Sequence, residues 1–561
     1  MRSLITTIIA TLIVATVYGS NFKLEYNAEL GVIGSGGKYT PFYLMNNTSG
    51  VVSYKPNSGY LRAGIYKDFV SDKKFTYSFG IELTGGYRND ANIYLQQAYF
   101  DLHLKSWSIF VGARDEYSML WDRELSSGSM MYSGNSRPIP QIYIGLPEFT
   151  KVPGTKGWLQ VRGGIAYGWF VDYPYQKDMH GADIPYTKKL LYHRKNLIFK
   201  IGHEDKGFYG VVGIDMAAQF GGTVKNVHNN DGTSTEIVFP SGIKEYFKVF
   251  VPMQGSGDSP IVDQVNVSGN HLGIYILSLG YKKNGWDAKV YYEHYFDDHS
   301  GMIFKNKCDG LWGISLRTEN KFPIEGFTFE VMNATNQSGP FLFDAISELP
   351  VQISGGDNYY GHVLYNGWTQ RGHSIGTPFI TSPLYNSNGN LGFTNTLSRA
   401  FHCGIDGTII DGLRYRALVS HQRGWGTPYV PSTGIAHEFS ALLEFKYAPP
   451  KLSGWQFLLS GAIDRGTLFG DNWGVKIGVK KSGILYPWRG ENNKINWLSI
   501  LQGWGMLLVV LGHVVLSNEF KNPDYPVTAA LSLNNNSLLL NKLYLFEVLN
   551  QERYETDMII Q

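Results

Sequence analysis

The chain has 561 residues and a formal net charge of +2, with 17% charged and 14% aromatic residues. Its charges are spread along the sequence without a basic block, which excludes the positive stripe that nucleic-acid binding requires. The only cysteines, Cys308 and Cys403, lie far apart, which excludes a thiolate zinc cluster and leaves either one disulfide or two free thiols. The 65 glycines and 37 tyrosines suit a large β-barrel with aromatic girdles.

The N-terminus has the features of a secretory signal peptide. Arg2 precedes an apolar run from Leu4 to Val17, and the small residues Gly19 and Ser20 follow. This run is too short to be read as a membrane-spanning helix. We therefore assign residues 1–20 to a signal peptide that is cleaved near Gly19 or Ser20, and we expect the mature chain to reach the periplasm of a Gram-negative cell.

From residue 21 onward, apolar and polar residues alternate with a period of two. Leu24, Tyr26, Ala28 and Leu30 are separated by polar residues, which gives a strand one apolar and one polar face. Similar segments begin at Phe75, Leu159, Phe439 and Trp473. A soluble β-sandwich also alternates. The signal peptide, the aromatic strand ends and the spread of segments to about residue 485 favour an all-β fold, an outer-membrane β-barrel of roughly 14 to 18 antiparallel strands.

Long irregular stretches rich in Gly, Ser, Asn and Pro separate some of these segments. They run over Glu116–Thr155, His180–Lys195, Val224–Asn270 and Glu348–Asn395. Because periplasmic turns of barrels are short, we expect these stretches to be extracellular loops or segments inserted into the lumen.

Three motifs, taken in order, resemble those of a known family. They are VGARDEYSMLWDRELSSGSMMYSGNSRPIPQIYIGLPEFTKVPG at Val111–Gly154, YYEHYFDDHSGM at Tyr291–Met302 followed by Asp309–Gly313, and YNGWTQRGHSIGTPFI at Tyr365–Ile380. Over residues 21–485 the chain resembles the capsule assembly protein Wzi family, in the form found in Bacteroides-like bacteria. The resemblance implies an outer-membrane barrel, partly occluded by inserted helical segments, that anchors capsular polysaccharide in a lectin-like manner, without catalysis. The expected partners are capsular polysaccharide, outer-membrane lipid and the barrel assembly machinery, and the oligomeric state is left open.

Two of the long stretches contain residues suited to binding sugars. Sugar recognition uses aromatic faces for stacking and planar polar groups for hydroxyls or carboxylates. The candidate carbohydrate-binding residues are Trp121, Arg123, Tyr132 and Arg137 in one stretch and Trp368, Gln370 and Arg371 in another. The alternative is that these aromatic residues and arginines only brace the barrel.

Residues that could indicate catalysis lack the spacing that catalysis needs. Asp297, Asp298 and His299 are adjacent, but no HExxH or similar metal-binding pattern is present. No GxSxG elbow supports a hydrolase. We therefore predict no catalytic residues, no metal and no cofactor.

After Leu485 the sequence changes character. Trp497–Leu516 is a run of twenty mostly apolar residues without a formal charge, which is a candidate membrane helix. It resembles the first membrane helix of the integral-membrane acyltransferase family that modifies surface sugars, in which a basic residue precedes a functional histidine. His513 matches that histidine, but Gln502 stands at the basic position, and residues 533–561 contain no second span.

The tail of residues 486–561 is therefore interpreted as a truncated acyltransferase-like fragment without activity. A fusion or frameshift of two genes would explain it, and a genuine membrane anchor is the alternative. The leading function is a non-enzymatic outer-membrane protein that binds or anchors capsular polysaccharide. The alternatives are a diffusion channel with an open polar lumen and, disfavoured, acyltransferase activity from the tail.

Overall fold

The computed structural model describes residues 23–487, apart from 70–73, 119, 181–183, 229–232, 254–267, 321–322, 338–356 and 363. The predicted signal peptide of residues 1–20 and the candidate membrane helix of residues 497–516 lie outside the described residues, as does the tail from residue 488 onward. Those predictions are therefore untested by the fold.

Within the described residues, eighteen antiparallel strands form one closed barrel. The first and last strands pair along their length, from Lys23 opposite Pro487 to Gly36 opposite Trp473. The strands are β1 (Lys23–Gly36), β2 (Ser58–Lys67), β3 (Phe75–Tyr87), β4 (Ile93–Leu104), β5 (Trp107–Ala113), β6 (Gln141–Lys151), β7 (Leu159–Trp169), β8 (Leu191–Gly202), β9 (Phe208–Phe220), β10 (Asn270–Lys283), β11 (Trp286–Phe296), β12 (Gly310–Thr318), β13 (Gly326–Ala334), β14 (Ser398–Ile410), β15 (Leu413–Gly426), β16 (Pro431–Tyr447), β17 (Trp455–Gly466) and β18 (Asn472–Pro487). The predicted fold class is confirmed, at the upper end of the predicted strand number.

The two faces of each strand differ as the alternation predicts. In β1, Leu30 and Val32 are exposed on the outside, whereas Ile33 is buried inside the barrel. In β3, Ile81 is exposed and Glu82 is buried. The outward face is therefore apolar, as contact with lipid requires, whereas the inward face carries polar side chains as well as apolar ones.

Exposed aromatic side chains form two girdles at the ends of the strands. One girdle consists of Tyr87, Trp169, Trp312 and Trp473, and the other of Phe75, Trp107, Trp158, Phe208, Tyr281, Trp286, Tyr447 and Trp455. Amphipathic rings prefer the level of the lipid headgroups. The apolar band between the girdles therefore marks the part of the outer-membrane barrel that spans the bilayer.

The connections at the two ends of the barrel differ in length, which gives its orientation. At the end where β1 begins and β18 ends, several turns are tight; Asn284 and Gly285, for example, join β10 to β11 with φ angles of 54° and 77°. At the other end the connections include 37–57, 114–140, 170–190 and 335–397. Because such barrels keep short turns in the periplasm and long loops outside, the long connections are extracellular.

Strand β6 (Gln141–Lys151) corrects the sequence analysis, which placed all of Glu116–Thr155 in an irregular stretch. The pairing of β6 with β7 shifts between Leu146 and Thr150, next to Pro147. A proline has no backbone N–H for the sheet, and the shift interrupts the alternation that the prediction relied on.

Helices are short and lie between strands. They are α1 (Phe42–Met45), α2 (Tyr173–His180), α3 (Ile243–Phe250) and α4 (His299–Met302), and short strands occur at Tyr186–Lys188, Thr223–His228, Ser234–Val238, Thr369–Gln370 and His373–Ser374. A 3₁₀ turn at Glu204–Lys206 joins β8 to β9, and another lies at Pro383–Tyr385. Among the described residues, no helix has both the length and the apolar character needed to cross a membrane.

Three segments fold back into the lumen and form a plug. We call residues 37–57 the first insert, 114–140 the second insert and 357–397 the third insert. Phe42 of the first insert stacks on Phe379 of the third, with ring centroids 5.5 Å apart, and on Phe469, at 5.4 Å. The largest apolar cluster of the described protein therefore lies inside the barrel, and the prediction of lumen-inserted segments is confirmed.

Candidate functional site

The plug is tied to the barrel wall by two buried glutamates, the first of which is Glu330 on β13. Its carboxylate accepts hydrogen bonds from the backbone N–H of Ser127 at 2.7 Å and from the hydroxyls of Ser126, Ser127 and Tyr291 at 2.6, 2.5 and 2.5 Å. A buried carboxylate is stable only when such donors surround it. Glu330 therefore fixes the position of the second insert.

Glu293 on β11 forms the second tie. It accepts hydrogen bonds from the backbone N–H of Met130 at 2.8 Å, from the Ser129 hydroxyl at 3.0 Å and from the Trp121 indole N–H at 2.5 Å. The Trp121 ring stacks on Tyr291, with centroids 4.0 Å apart. Trp121 is buried, and its indole contributes to holding the plug.

Removing the Glu330 tie should loosen the second insert. In Glu330→Gln, an amide nitrogen that cannot accept replaces one of the two carboxylate oxygens and the charge is lost, so the donors that bind that oxygen lose their acceptor and the others bind a neutral one. We expect a loss of about 2 kcal/mol or more and new protease cleavage between residues 114 and 140 in the folded barrel. The control is Glu236→Gln, at an exposed glutamate. A cleavage pattern for Glu330→Gln identical to that of wild type would show that the tie does not hold the insert.

The tip of the second insert reaches the periplasmic end of the barrel. Asp122 contacts Arg317 near the end of β12 at 2.5 Å, and Glu124 contacts Lys446 near the end of β16 at 2.6 Å. Together with Arg123 they line a cavity of about 430 Å³. The Arg123 guanidinium lies 3.9 Å from the centre of the Tyr117 ring. The second insert therefore passes through the lumen, and Arg123 lies far from the other candidate arginines.

Two candidate residues meet near the extracellular end. Arg137 and Arg371 each contact the Asp90 carboxylate at 2.5 Å, through different oxygens. The Arg137 guanidinium also lies 3.3 Å from the centre of the Tyr94 ring. We call Asp90, Arg137 and Arg371 the Asp90 clamp. Sequence analysis missed Asp90, because no local pattern links a hairpin aspartate to arginines 47 and 281 residues away.

The Asp90 clamp joins one carboxylate to two guanidinium groups, and a second carboxylate lies beside it, because Asp172 accepts a hydrogen bond from the backbone N–H of Arg371 at 3.3 Å. Burial would raise the pKa of Asp90, but the guanidinium groups of Arg371 and Arg137 outweigh it and hold the pKa below its ordinary value. The carboxylate is therefore ionised at neutral pH, and one carboxylate faces two guanidinium groups. Guanidinium groups are side chains that bind the carboxylates and hydroxyl oxygens of sugars.

Gln370 and His373 flank Arg371 and add unfilled hydrogen-bonding capacity. They face each other in a two-residue ladder. Among the described residues, neither side-chain amide atom of the fully buried Gln370, nor Nδ1 of His373, has a hydrogen-bond partner. Burial lowers the pKa of His373 to about 4, so its imidazole is neutral at pH 7. Buried polar atoms normally find a protein, water or ligand partner, so these groups could hold a hydroxyl-bearing ligand.

Trp368 and Tyr132, two further candidates, form part of the plug core. The Trp368 side chain is completely buried, and its indole N–H donates to the Met131 carbonyl at 3.1 Å. Tyr132 packs edge-on against Trp368 and hydrogen-bonds the Tyr192 hydroxyl. Their rings contact protein on several sides. The structure therefore favours a bracing role for Trp121, Tyr132 and Trp368, and it brings Arg137, Gln370 and Arg371 into one region.

Three aspartates lie close together near the extracellular end, outside the Asp90 clamp. Burial raises the pKa of Asp297 to about 8 and that of Asp357 to about 9, and the neighbouring Asp298 adds to both shifts. Asp297 also accepts a hydrogen bond from the Tyr295 hydroxyl at 2.5 Å. Within the described parts of the chain, no group of three or more His, Cys, Asp or Glu residues is placed to hold a metal ion.

This aspartate group should make the barrel less stable as the pH rises. The folded pKa values lie above the unfolded value of about 3.9, so the folded state binds more protons between pH 4 and 9 and its stability falls across that window. In Asp297→Asn we expect a flatter pH profile and, at pH 9, stability higher by at least about 1 kcal/mol. Urea unfolding at pH 6 and pH 9 tests this, with the exposed Asp205→Asn as control. Parallel profiles for wild type and Asp297→Asn would contradict it.

The cysteines do not pair. Cys308 is exposed and Cys403 is half-buried, and both are free thiols. Of the two possibilities left open by the sequence, the structure supports two free thiols.

Comparison with known proteins leaves the family open. No protein-family model and no curated protein matches the sequence. Among solved structures, the barrel is similar to Wzi of Escherichia coli, described as an outer-membrane protein involved in group 1 capsule assembly and a carbohydrate-binding β-barrel. The identity is 10%, over 82% of this chain and 84% of that chain, with a TM-score of 0.49.

Two other similar structures are OccK5 of Pseudomonas aeruginosa and OccAB2 of Acinetobacter baumannii. OccK5 is 7% identical over 83% of this chain and 99% of its own, with a TM-score of 0.42. OccAB2 is 8% identical over 83% of this chain and 100% of its own, also with a TM-score of 0.42. Similarity this distant does not assign a function. Membership of the Wzi family and the acyltransferase-like origin of the tail therefore stay predictions.

Proposed function

We propose that the chain is a non-enzymatic outer-membrane protein that binds capsular polysaccharide at the cell surface. The observation that carries the proposal is the plug, which fills the lumen and positions the Asp90 clamp near the extracellular end. Beside the clamp, on the third insert, the side-chain amide of Gln370 and Nδ1 of His373 have no hydrogen-bond partner within the described part of the chain. A plugged barrel with a polar cluster near its extracellular end is better suited to holding a ligand than to passing one.

The chemistry of this region favours an acidic polysaccharide. Arginines bind carboxylates through paired, charge-assisted hydrogen bonds, and the Asp90 clamp brings two arginines together. The Gln370 amide can both donate to and accept from sugar hydroxyls, and the neutral His373 imidazole can do the same. The expected ligand is therefore a polysaccharide that carries uronate or similar carboxylate groups.

A diffusion channel is the competing function. A barrel of this strand number can enclose an aqueous channel, and charged side chains line its interior. The two glutamate ties argue against a channel, because they hold the second insert across the lumen.

The proposal is tested in capsule-producing cells that lack the gene for this protein. We expect polysaccharide to be synthesised in normal amount but released into the medium, and expression of the wild-type chain to restore its attachment. Unchanged attachment together with slower uptake of small solutes would contradict the proposal and favour the channel.

A further inference from the structure

The helix α3 (Ile243–Phe250) lies against the outside of the barrel. Four residues form a row across the neighbouring strands β7, β8, β9 and β10, each paired with the next: Tyr167, His193, Ala218 and His271. His193 lies on the same face of β8 as Leu197, which is exposed. By strand alternation, His193 and its partners on the neighbouring strands therefore point out of the barrel. His193, Ala218 and His271 are nevertheless buried. Helix α3 packs over this part of the wall.

Specific contacts hold α3 in place. Its Tyr246 ring packs against Phe220 and Tyr167 with centroids 5.1 Å away in both cases, and the Tyr167 hydroxyl donates to the Tyr246 carbonyl at 2.8 Å. Lys195, on the outward face of β8, donates to the carbonyls of Val249 and Phe250 at the end of the helix. A cation at that position stabilises a helix C-terminus, and the helix in turn separates Lys195 from lipid.

The side of α3 that faces away from the wall is apolar. At about 100° per residue, Ile243, Phe247 and Val251 share one stripe, whereas Glu245 and Val249 face the barrel. Ile243, Phe247 and Val251 are 73%, 68% and 55% exposed, and Met253 adds to the patch at 53%. Isolated apolar residues are common on protein surfaces, but a continuous patch on an amphipathic helix marks a binding surface.

The position of α3 identifies what covers this patch. Below it, the same wall continues as the lipid-facing band, where Leu197 and Leu277 are exposed. Trp169, in the extracellular girdle, ends β7 two residues after Tyr167, which α3 contacts. The helix is therefore at the level where the bilayer meets the extracellular medium, and its apolar stripe is continuous with surface that contacts acyl chains.

We propose that α3 is an interfacial membrane helix, which lies along the outer leaflet and inserts Ile243, Phe247 and Val251 among the acyl chains. Amphipathic helices bind membranes in this way, with their polar edge at the headgroups. The exposed Lys244 forms the basic edge of α3 next to the apolar stripe, whereas Lys248 forms an ion pair with the buried Glu245 at 3.0 Å. The helix would fix the depth of the barrel in the outer leaflet, a role independent of sugar binding.

Spin labelling tests the proposal on the full chain in lipid bilayers. In a background with Cys308→Ser and Cys403→Ser, a nitroxide is attached at Phe247→Cys. The matched controls are Leu277→Cys, on the lipid-facing wall, and Ser387→Cys, on an exposed loop. Heat-modifiable migration on gels verifies that each variant forms the barrel.

We expect the label at 247 to collide with oxygen as often as the label at 277, and with a water-soluble nickel complex several-fold less often than the label at 387. Nickel accessibility at 247 equal to that at 387 would overturn the proposal, because it would place the stripe in water. Spin–spin broadening at 247 that grows with protein density would also overturn it, because a second copy of the chain would then cover the stripe.

Discussion

Replacing residues 120–131 with a short Gly-Ser linker should turn the plugged barrel into a conducting channel. These residues include Leu125, Met130 and Met131, which are buried in the lumen, and Trp121, which binds Glu293. Their removal takes away both glutamate ties and the tip of the second insert at the periplasmic end, in a barrel wide enough to enclose a water-filled path. We expect single-channel conductance in planar bilayers to rise by roughly an order of magnitude or more over wild type.

The control for this experiment changes a loop that does not cross the lumen. Replacing Ser387–Asn390, the exposed tip of the third insert, with four glycines should leave conductance at the wild-type level. If wild type already conducts as strongly as the deletion variant, the plug does not close the barrel and the channel function gains support.

Removing an arginine of the Asp90 clamp should weaken binding of acidic polysaccharide. Arg371→Ala removes a guanidinium that contacts Asp90 beside Gln370, and Arg137→Ala removes the second. A charge-assisted hydrogen bond contributes about 1.5–3 kcal/mol, so we expect each variant to lose about tenfold to a hundredfold in affinity. Binding by wild type should also weaken as salt rises.

The matched control is Arg465→Ala, at an exposed arginine near the extracellular end of β17. Its affinity should equal that of wild type. Equal affinity for Arg371→Ala, Arg137→Ala and Arg465→Ala would remove the Asp90 clamp from the site.

The barrel itself could be predicted from the sequence because its signal is local. Alternation along each strand, as in Leu30 and Val32 outside and Ile33 inside, follows from the geometry of a single strand. Strand β6 was missed because Pro147 and the shifted pairing beside it break that local pattern.

The plug could be predicted only as a set of long insertions. Its geometry depends on contacts between distant parts of the chain, such as Ser127 with Glu330, which are 203 residues apart. The same limit explains the candidate site. Aromatic residues in a loop suit either sugar stacking or packing, and only the folded chain shows that Trp368 is buried. Arg137 and Arg371 were found by residue type, but Asp90, which joins them, has no signal in the sequence.

Helix α3 illustrates a third case. Its apolar residues follow a helical period, but the sequence analysis placed the whole segment in the irregular stretch Val224–Asn270. Eight residues are too few for periodicity to separate a helix from a loop. Its position on the outer wall follows from contacts with Tyr167 and Lys195 that the sequence does not reveal.

The most direct test of the account is binding of purified capsular polysaccharide to the refolded wild-type protein. An unrelated outer-membrane barrel is the control, and single-channel conductance is recorded on the same preparation. The account predicts saturable binding that weakens with salt, together with little or no conductance. Absence of binding together with a clear single-channel current would contradict it and identify the protein as a channel.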